Sequence, residues 1–277
     1  MIVKTLTAAA IFAFAASPAF AQDTQRAITN VKGDVWRFQN NFHFSVFVIT
    51  DEGVIVSDPI NAEAAAWLKS EISKLTDAPI THLVYSHSHG DHASGGAIFA
   101  DTATVFAGAN GPEEIDGVTP DTQVSEVSNF TSGDHSFEIT ALGSGHGSDM
   151  LALVIRPENV AFIVDVVTPK RLPFKNFPGA DIGGYIDQIR VVETLEFDVL
   201  VPGHGALGGK VDATENRQYV EWLRDAVTAE LKQGSSVEEI VASLDTSAYA
   251  DWGNYENWRD LNIRGMADWL VESGALN

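Results

Sequence analysis

Seven histidine and aspartate side chains have the types and the spacing of metal ligands. Four of them fall within six residues, in the motif His-Ser-His-Gly-Asp-His, and the other three stand singly farther along the chain. The candidates are His87, His89, Asp91, His92, His146, Asp165 and His204. Imidazole and carboxylate groups suit zinc where no thiolate is available, and the chain contains no cysteine. Such a set would serve two metal ions, with one carboxylate shared between them.

The isolated candidates also have structural interpretations. Asp165 alone would be a turn cap, and His146 between glycines and His204 in Pro-Gly-His-Gly would be loop residues. The motif over residues 87–92 is different, because closely spaced imidazoles titrate against one another and no turn or core requires them. It favours a metal site and supports the isolated residues. The histidines without such support, predicted to be packing or surface residues, are His43, His82 and His135.

All of the candidate ligands lie in loops next to predicted strands. Strands that end within three residues of the next ligand are predicted over residues 82–86, 160–164 and 199–201. His146 lies in the glycine-rich loop 143–147. Loops at strand ends are where an α/β layer fold places reactive groups, on a rigid scaffold and open to solvent.

Apolar spacing predicts the remaining elements. Further strands are predicted over residues 35–39, 43–49, 53–57, 104–107, 136–142 and 151–155, the first two forming a hairpin. Helices are predicted over residues 62–75, 181–195, 214–232, 236–244 and 255–272. Asn61 is expected to cap the first helix. The chain is therefore expected to be α/β, with a body over residues 22–212 and a C-terminal helical extension over residues 213–277.

Composition excludes several classes of protein. The chain has 17 Lys plus Arg against 38 Asp plus Glu, a net charge of −21, and no basic run, so no nucleic-acid partner is expected. The absence of cysteine excludes disulfides, thiol catalysis and thiolate zinc sites. A hydrophobic content of 45% is that of an ordinary globular domain.

The first 21 residues are predicted to be a secretory signal peptide. Lys4 precedes a small and apolar run over residues 6–16, and Ala19-Phe20-Ala21 matches an Ala-x-Ala cleavage site. The alternative is a membrane anchor, but the run is shorter than a bilayer span. We expect cleavage after Ala21 and a periplasmic or secreted protein without membrane contact.

The motif over residues 87–92 resembles the His-x-His-x-Asp-His signature of the metallo-β-lactamase fold superfamily. The isolated candidate ligands follow in the order of the later motifs of that family, and Asp58 matches its first motif. The resemblance covers roughly residues 31–208. It implies a four-layer αββα sandwich, with two sheets face to face, helices outside and a dinuclear site at one edge.

The resemblance also implies a role for each ligand. The first metal ion would be held by His87, His89 and His146, and the second by Asp91, His92 and His204, with Asp165 bridging both. Asp58 would support the site, and Ser148 and Asp149 are further candidates for orienting imidazoles. The bridging aspartate resembles that of glyoxalase II and the acyl-homoserine lactonases. β-Lactamases with a cysteine ligand are excluded, and a third subclass without cysteine generally lacks the bridge.

The implied activity is that of an exported dinuclear zinc hydrolase acting on a small molecule. With two Zn²⁺, or alternatively iron or manganese, a metal-bound hydroxide would attack the carbonyl of an ester, lactone, thioester or amide. Asp91 would both ligate a metal ion and carry a proton to the leaving group. The alternatives are a true β-lactamase, and a periplasmic iron-dependent or accessory metalloprotein with little hydrolysis. The sequence defines no oligomeric state.

Four residues are candidates for substrate contacts. Lys170, Arg171 and Lys175 form the densest basic group, which either clamps a substrate carboxylate or lies solvated in an exposed loop. Phe42 lies at the predicted hairpin tip, where it either covers the site or belongs to a plain turn. Tryptophans of the C-terminal extension are predicted to pack its helices onto the body, with a lid over the site as the alternative. They are Trp252, Trp258 and Trp269.

Overall fold

Two β-sheets form the centre of the computed structural model, which describes residues 24–276. The first sheet holds, in spatial order, β1 Arg26–Lys32, β2 Val35–Asn40, β3 His43–Ile49, β4 Val54–Ser57, β5 Ile80–Val84, β6 Thr104–Gly108 and β7 Thr122–Val124. The second sheet holds β8 Val127–Ser132, β9 His135–Gly143, β10 Met150–Arg156, β11 Val160–Ile163 and β12 Val199–Pro202, in the order β12-β11-β10-β9-β8. The predicted signal peptide over residues 1–21 lies outside the described residues.

Helices cover the outer face of each sheet. They are α1 Ala62–Leu75, α2 Gly90–Ala93, α3 Ala97–Ala100, α4 Ile182–Thr194, α5 Lys210–Lys232, α6 Val237–Ser243 and α7 Tyr255–Glu272, and a 3-10 turn spans Ser247–Tyr249. The first begins where Asn61 accepts a hydrogen bond from Ala64 N at 2.9 Å, and its bounds are those predicted. Within the described chain, no helix combines the length and the apolar character needed to cross a bilayer.

Three apolar layers hold the sandwich together. Side chains of a strand point alternately to its two faces, and β10 shows the result. Leu151 and Leu153 lie in the core between the sheets, whereas Ala152 and Val154 lie in the core under α4, α5 and α7. A third core lies between the first sheet and α1. The predicted αββα sandwich with a C-terminal helical part is confirmed.

Strand direction brings the candidate ligands to one edge. β4 to β7 pair in parallel, and β11 pairs in parallel with β12. The carboxyl ends of parallel strands lie at the same edge of a sheet. The loops after β4 and β5 therefore meet at the edge of the first sheet, and those after β11 and β12 meet at the edge of the second.

The C-terminal helices fasten the loop that follows β11. Tyr219 of α5 donates its hydroxyl hydrogen to Asn262 Oδ1 of α7 at 2.8 Å. Asn262 is fully buried, and its Nδ2 donates to the carbonyl of Pro173 at 3.0 Å and to that of Lys175. One buried amide thus joins the helical extension to the loop over residues 172–178.

The sequence patterns do not predict three strands of the described chain, which are β1, β7 and β8. The residues of β1 are half-buried or exposed, and β7 has three residues, so neither carries a clear apolar alternation. Burial alternates along β8, but its apolar residues Val127 and Phe130 lie on opposite faces, so the sequence shows no apolar alternation. Because α5 begins at Lys210, the boundary expected between residues 212 and 213 falls inside a helix.

Candidate metal centre

The structure brings all of the predicted ligands, and His43, into one cluster at the sandwich edge. The cluster contains three overlapping sets of possible ligand atoms, and within each set all of the atoms lie within 4.8 Å of one another. These are His87, His89, His146 and Asp165; His92, Asp165 and His204; and His43, Asp91 and His204. They come from the loop after β5, the β9–β10 loop, the residues after β11 and β12, and the β2–β3 hairpin.

The carboxylate of Asp165 lies at the centre of the cluster. Its Oδ2 is 3.6 Å from His87 Nε2 and 3.2 Å from His146 Nε2. The same oxygen is 3.6 Å from His92 Nε2, and Oδ1 is 3.3 Å from His204 Nε2. Asp165 therefore stands between two sets of imidazoles, where a bridging carboxylate would have to be.

The backbone of Asp165 is left-handed, with φ of 59°, which is uncommon for a residue other than glycine. Tyr185 of α4 donates its hydroxyl hydrogen to the Asp165 carbonyl at 3.1 Å. Val164 and Val166 on either side are fully buried. The surroundings thus hold a conformation that the residue alone disfavours, as is common at functional sites.

Hydrogen bonds on the outer side of the rings define which nitrogen faces inward. Ser86 Oγ donates to Asp58 Oδ2 at 2.6 Å, so it accepts from His87 Nδ1 at 2.9 Å. His87 Nε2 then carries a lone pair, is buried, and has no hydrogen-bond partner among residues 24–276. A buried nitrogen whose lone pair faces a carboxylate lacks a partner, and a metal ion bound between the two groups would supply it.

The second set of imidazoles is oriented in the same way. His92 Nδ1 lies 3.3 Å from Asp58 Oδ2, and His204 Nδ1 donates to the carbonyl of Phe42 at 2.8 Å. Their Nε2 atoms face each other at 3.2 Å, a separation that requires a proton or a metal ion between the two nitrogens. The buried carboxylate of Asp58, which also accepts from Ser86 N at 2.7 Å, thus contacts groups on both sides of the cluster.

Separations between the donor atoms fit metal ligation. Tetrahedral ligands about 2.0–2.2 Å from a zinc ion are about 3.3–3.6 Å apart. The contacts of Asp165 with its four imidazoles span 3.2–3.6 Å, and His89 Nδ1 lies 3.2 Å from His146 Nε2. The residues present therefore fit metal ligation on both sides of Asp165.

Burial and nearby carboxylates define the charge of the cluster. Burial lowers the pKa of His87 well below its ordinary value, and it also lowers the pKa of His89 and of His204. Burial acts on His92 as well, but nearby carboxylates, Asp165 first, outweigh it and raise the pKa of His92 to about 9. Neutral imidazoles are the form that ligates metals, so the first three are ready as ligands at neutral pH.

The glycine-rich loop that carries His146 is held by Gln188 of α4. Its Nε2 donates to the carbonyls of Gly143 at 2.7 Å and Gly147 at 3.1 Å. Its Oε1 accepts from His146 N at 2.8 Å, and the side chain is fully buried. The sequence does not reveal this role, because a glutamine inside a predicted helix carries no sign of its distant partners.

Gly203 allows the loop after β12 to approach the cluster. A Cβ atom at this position would lie 2.8 Å from His92 Cε1 and 2.6 Å from Val164 Cγ1. Its carbonyl accepts from Phe44 N of β3 at 2.9 Å. The β2–β3 hairpin is therefore bound to the loop that carries His204.

His43 belongs to the cluster, so the prediction of a packing or surface position is wrong for this residue. Its Nε2 lies 3.4 Å from Asp91 Oδ2, and its ring meets that of His204 edge-on at 4.8 Å between centroids. Asp91 Oδ2 also lies 3.6 Å from His92 Nε2 and 3.8 Å from His204 Nε2. The hydrogen bond with His43 holds the pKa of Asp91 well below its usual range.

A cavity of about 400 Å³ opens above the cluster. Its polar floor consists of His43, His89, Asp91, His146, Asp165 and His204. Its walls are mainly apolar and consist of Phe42, Leu172, Pro173, Phe174, Phe177, Pro178, Ala180, Tyr185 and Trp258, with Thr168 and Arg171 between them. Phe42 lies at the mouth with 78% of its surface exposed, which places the hairpin tip over the cavity.

Of the three predicted basic contacts, only Arg171 is among the residues lining this cavity. Lys170 has a left-handed backbone, and its Nζ pairs with Glu215 Oε2 of α5 at 2.7 Å. Lys175 is also left-handed, and its Nζ lies 4.8 Å from the ring centroid of Phe174. The predicted clamp of three basic residues is therefore wrong for both lysines.

Arg171 is held in place by the C-terminal extension. Its guanidinium lies 4.8 Å from the ring centroid of Trp258. With the amide oxygen of Asn254 turned toward it, Nε and Nη2 donate at 2.8 and 3.0 Å. Trp258 itself lines the cavity, whereas Trp252 is buried among the helices as predicted. The extension therefore supplies both packing and one wall of the site.

The remaining candidates occupy different positions. Asp149 Oδ2 accepts from Ser88 N at 2.9 Å, so it supports the motif directly. Ser148 Oγ donates to the carbonyl of Asn110 at 3.1 Å and makes no contact with a ligand ring. The other histidines predicted to be structural lie away from the cluster; these are His82 and His135.

Comparison with known proteins agrees with this architecture. The model of the metallo-beta-lactamase superfamily matches residues 40–204, which is more than half of the chain. The chain belongs to the metallo-β-lactamase superfamily.

Individual relatives are distant. The 2,4-dinitroanisole O-demethylase subunit alpha of Nocardioides sp. (strain JS1661) is 25% identical over 198 residues, covering 68% of this chain and 60% of the relative. Among solved structures, a metallo-beta-lactamase from Pontibacter korlensis has a TM-score of 0.63 at 21% identity, covering 71% of this chain and 99% of that chain. The mono-zinc form of the metallo-beta-lactamase FIM-1 from Pseudomonas aeruginosa has a TM-score of 0.63 at 20% identity, covering 73% of this chain and 98% of that chain. The sec-alkylsulfatase Pisa1 from Pseudomonas sp. has a TM-score of 0.70 at 16% identity, covering 88% of this chain and 50% of that chain. At these identities the structural likeness shows the fold.

Proposed function

We propose that this protein is an exported dinuclear zinc hydrolase for a small ester, lactone, thioester or amide that carries an apolar group. One observation carries the proposal. The Asp165 carboxylate stands between two sets of imidazoles at the floor of a cavity whose walls are mainly apolar. Family membership supports it, because the superfamily is mostly made of hydrolytic metalloenzymes.

The ligands of the two ions would be His87, His89 and His146 on one side, and Asp91, His92 and His204 on the other, with Asp165 between them. When bound, the ions activate a water molecule and polarise the carbonyl of the substrate. The protein supplies orientation: Ser86 and Asp58 hold two imidazoles from behind, and the Phe42 carbonyl holds a third. Groups that orient the ligands in this way typically account for about 10–100-fold in metal affinity or activity.

Asp91 and His43 are placed to move a proton at the cavity floor. The hydrogen bond from His43 keeps Asp91 ionised, so its Oδ2 can accept a hydrogen bond from the attacking water and orient it, and Asp91 and His43 together would carry the proton to the leaving group. The side chains of Asp91 and His43 are 51% and 28% exposed, which gives the pair a path to solvent.

The walls of the cavity define the rest of the substrate. Phe174, Trp258 and Phe42 surround the floor with aromatic surface, which favours an aryl or branched alkyl group next to the scissile carbonyl. Arg171 is the cationic side chain lining the cavity. Its guanidinium would donate hydrogen bonds to a carbonyl, nitro or carboxylate oxygen of that group.

Hydrolysis of an aryl methyl ether to a phenol and methanol is a second candidate. The aromatic lining favours such a substrate, and one relative is named as a 2,4-dinitroanisole O-demethylase subunit. That relative is longer than this chain, which spans 60% of it, so the second candidate depends on the cavity alone.

A hydrolysis panel on zinc-loaded protein tests both candidates. It contains aryl esters, lactones, thioesters, amides, a chromogenic cephalosporin and 2,4-dinitroanisole. We expect carbonyl substrates to be cleaved by the wild type and by His82→Gln, which changes a histidine outside the cluster, but not by His87→Ala or Asp165→Asn. Activity that survives both cluster variants would refute the proposal. Bound iron without hydrolysis would favour a redox or accessory metalloprotein.

Export is tested separately. We propose cleavage after Ala21, on the basis of the Ala-x-Ala site and the apolar run before it. Cell fractionation and N-terminal sequencing should find a mature chain beginning at Gln22 outside the cytosol. An uncleaved chain confined to the cytosol would contradict this part of the proposal.

A further inference from the structure

A second group of possible ligands lies at the sandwich edge opposite the cavity. Donor atoms of Asp34, His135 and Glu158 lie within 4.8 Å of one another. Asp34 is in the β1–β2 turn, His135 begins β9 after the β8–β9 turn, and Glu158 is in the β10–β11 turn. β2 and β9 start at this edge and end at the metal cluster, so the two groups are separated by the length of the strands.

The histidine of this group is presented as a metal ligand would be. Its Nε2 lies 3.1 Å from Glu158 Oε1 and 3.6 Å from Asp34 Oδ2. On the other side of the ring, Asp134 Oδ1 lies 2.9 Å from Nδ1. Nδ1 makes no hydrogen bond among the described residues, whereas Nε2 is hydrogen-bonded to Glu158 Oε1. A metal ion bound at Nε2 would replace the hydrogen there and leave the Nδ1 proton facing Asp134, as behind many metal-ligating histidines.

Burial of Glu158 is the independent sign of a missing partner. Its side chain is 6% exposed, and its Oε2 has no hydrogen-bond partner in the part of the chain that the structure describes. Leaving a charged oxygen buried and unpaired is costly. The other oxygen accepts from Asp34 N at 3.3 Å, so the carboxylate is held in place while Oε2 stays free.

We propose that Asp34, His135 and Glu158 bind one Zn²⁺ ion. One imidazole and two carboxylates are a ligand set that zinc accepts, and Asp34, 63% exposed, leaves the site open for a water molecule as the fourth ligand. The ion would join a turn of the first sheet to two turns of the second. It acts as a structural clip and takes no part in the reaction at the cavity.

Zinc stoichiometry of the full chain is the first test. Apoprotein prepared with a chelator is titrated with Zn²⁺, and bound metal is counted by elemental analysis and calorimetry. We expect Asp34→Asn and Glu158→Gln to bind one equivalent of zinc fewer than the wild type, or to bind that equivalent more than about 100-fold more weakly. A loss of that size exceeds the one that follows when a residue that only orients a ligand is changed. Asp51→Asn, an exposed aspartate in the neighbouring β3–β4 turn, should match the wild type.

Thermal unfolding separates this site from the cavity cluster. In a chain carrying His89→Ala, Asp165→Asn and His204→Ala, which removes ligands from every donor set of the cavity cluster, zinc at 100 times the dissociation constant should raise the midpoint by about 5–10 °C. Adding Asp34→Asn, which changes an exposed residue and should leave folding intact, should abolish the rise. Equal zinc binding by the wild type, Asp34→Asn and Glu158→Gln would overturn the proposal and leave a buried His–Glu hydrogen bond as the whole interaction. That outcome would not affect hydrolysis at the cavity.

Discussion

Replacing Gln188 with leucine should loosen the loop that carries His146 and weaken metal binding. Leucine is close to glutamine in size, so Gln188→Leu leaves little void in the helix-covered core where this fully buried side chain lies. What it removes is polar. The carbonyls of Gly143 and Gly147 lose their donor, and His146 N loses its acceptor.

The magnitude follows from the three hydrogen bonds lost. A neutral hydrogen bond contributes about 1 kcal/mol net, so the free energy of unfolding should fall by about 3 kcal/mol. Gly143 is exposed and can bond to water instead, which makes a much larger loss unexpected. Because the loop positions His146 beside Asp165, metal affinity should also fall about 10–100-fold, as for loss of a group that orients a ligand.

Three measurements check this prediction: urea unfolding, zinc titration, and kcat/KM on the best substrate of the panel. Gln218→Leu is the matched control, because Gln218 is exposed on α5 and should change none of the three. The reasoning fails if Gln188→Leu unfolds within about 1 kcal/mol of the wild type, the value of one hydrogen bond, and binds zinc with unchanged affinity. A loss of stability with unchanged zinc affinity would show that His146 is positioned without Gln188.

Three further perturbations follow from contacts of the site and its scaffold. Asp58→Asn removes the carboxylate facing His92 and should weaken zinc binding about 10–100-fold by titration calorimetry. Gly203→Ala places a Cβ 2.8 Å from His92 Cε1 and should destabilise the fold by about 1–3 kcal/mol in urea while abolishing hydrolysis. Burial raises the pKa of Glu193, but hydrogen bonds from Arg217 outweigh it and lower that pKa. The stabilisation by the ionised Glu193 is therefore fully present above about pH 4.3 and is lost as the pH falls through the lowered pKa. Glu193→Gln should unfold more easily than the wild type at pH 7, and the difference should shrink as the pH falls toward 3.

Each of these variants has a control in the same chain. Asp51→Asn changes an exposed aspartate and should bind zinc as the wild type does. In Gly209→Ala the nearest atom to the new Cβ is Asp198 O at 3.5 Å, an ordinary contact. Glu113→Gln changes an exposed glutamate and should leave the pH profile of unfolding unchanged.

Local patterns were sufficient to predict an α/β body with C-terminal helices and the ligands that the structure brings together, whereas the four-layer arrangement followed from the resemblance of the ligand motif. Apolar alternation marks buried strands such as β10, and a ligand that follows a parallel strand must lie at that strand's edge. The same patterns fail for β1, whose half-buried and exposed positions do not alternate, and for β8, whose apolar residues Val127 and Phe130 lie on opposite faces. Which positions of these two strands are buried depends on the assembled sheets, so the sequence alone does not identify them as strands.

The parts of the site that depend on distant contacts could not be predicted. His43 joins the cluster because the hairpin is bound to the loop after β12, a contact that no spacing along the chain encodes. Lys170 and Arg171 are adjacent in sequence but point in different directions. Lys170 has a left-handed backbone and pairs with Glu215 of α5, whereas Arg171 lines the cavity. Two neighbouring charges therefore have unrelated roles.

The main chain and the side chain of Phe42 have separate roles at the site. Its main-chain carbonyl accepts a hydrogen bond from His204, and its side chain stands at the mouth of the cavity. Every amino acid offers that carbonyl, so exchanging the side chain alters what enters the cavity while the imidazole keeps its support. The hairpin tip is therefore a place where substrate preference can drift through single substitutions with the reaction chemistry left intact.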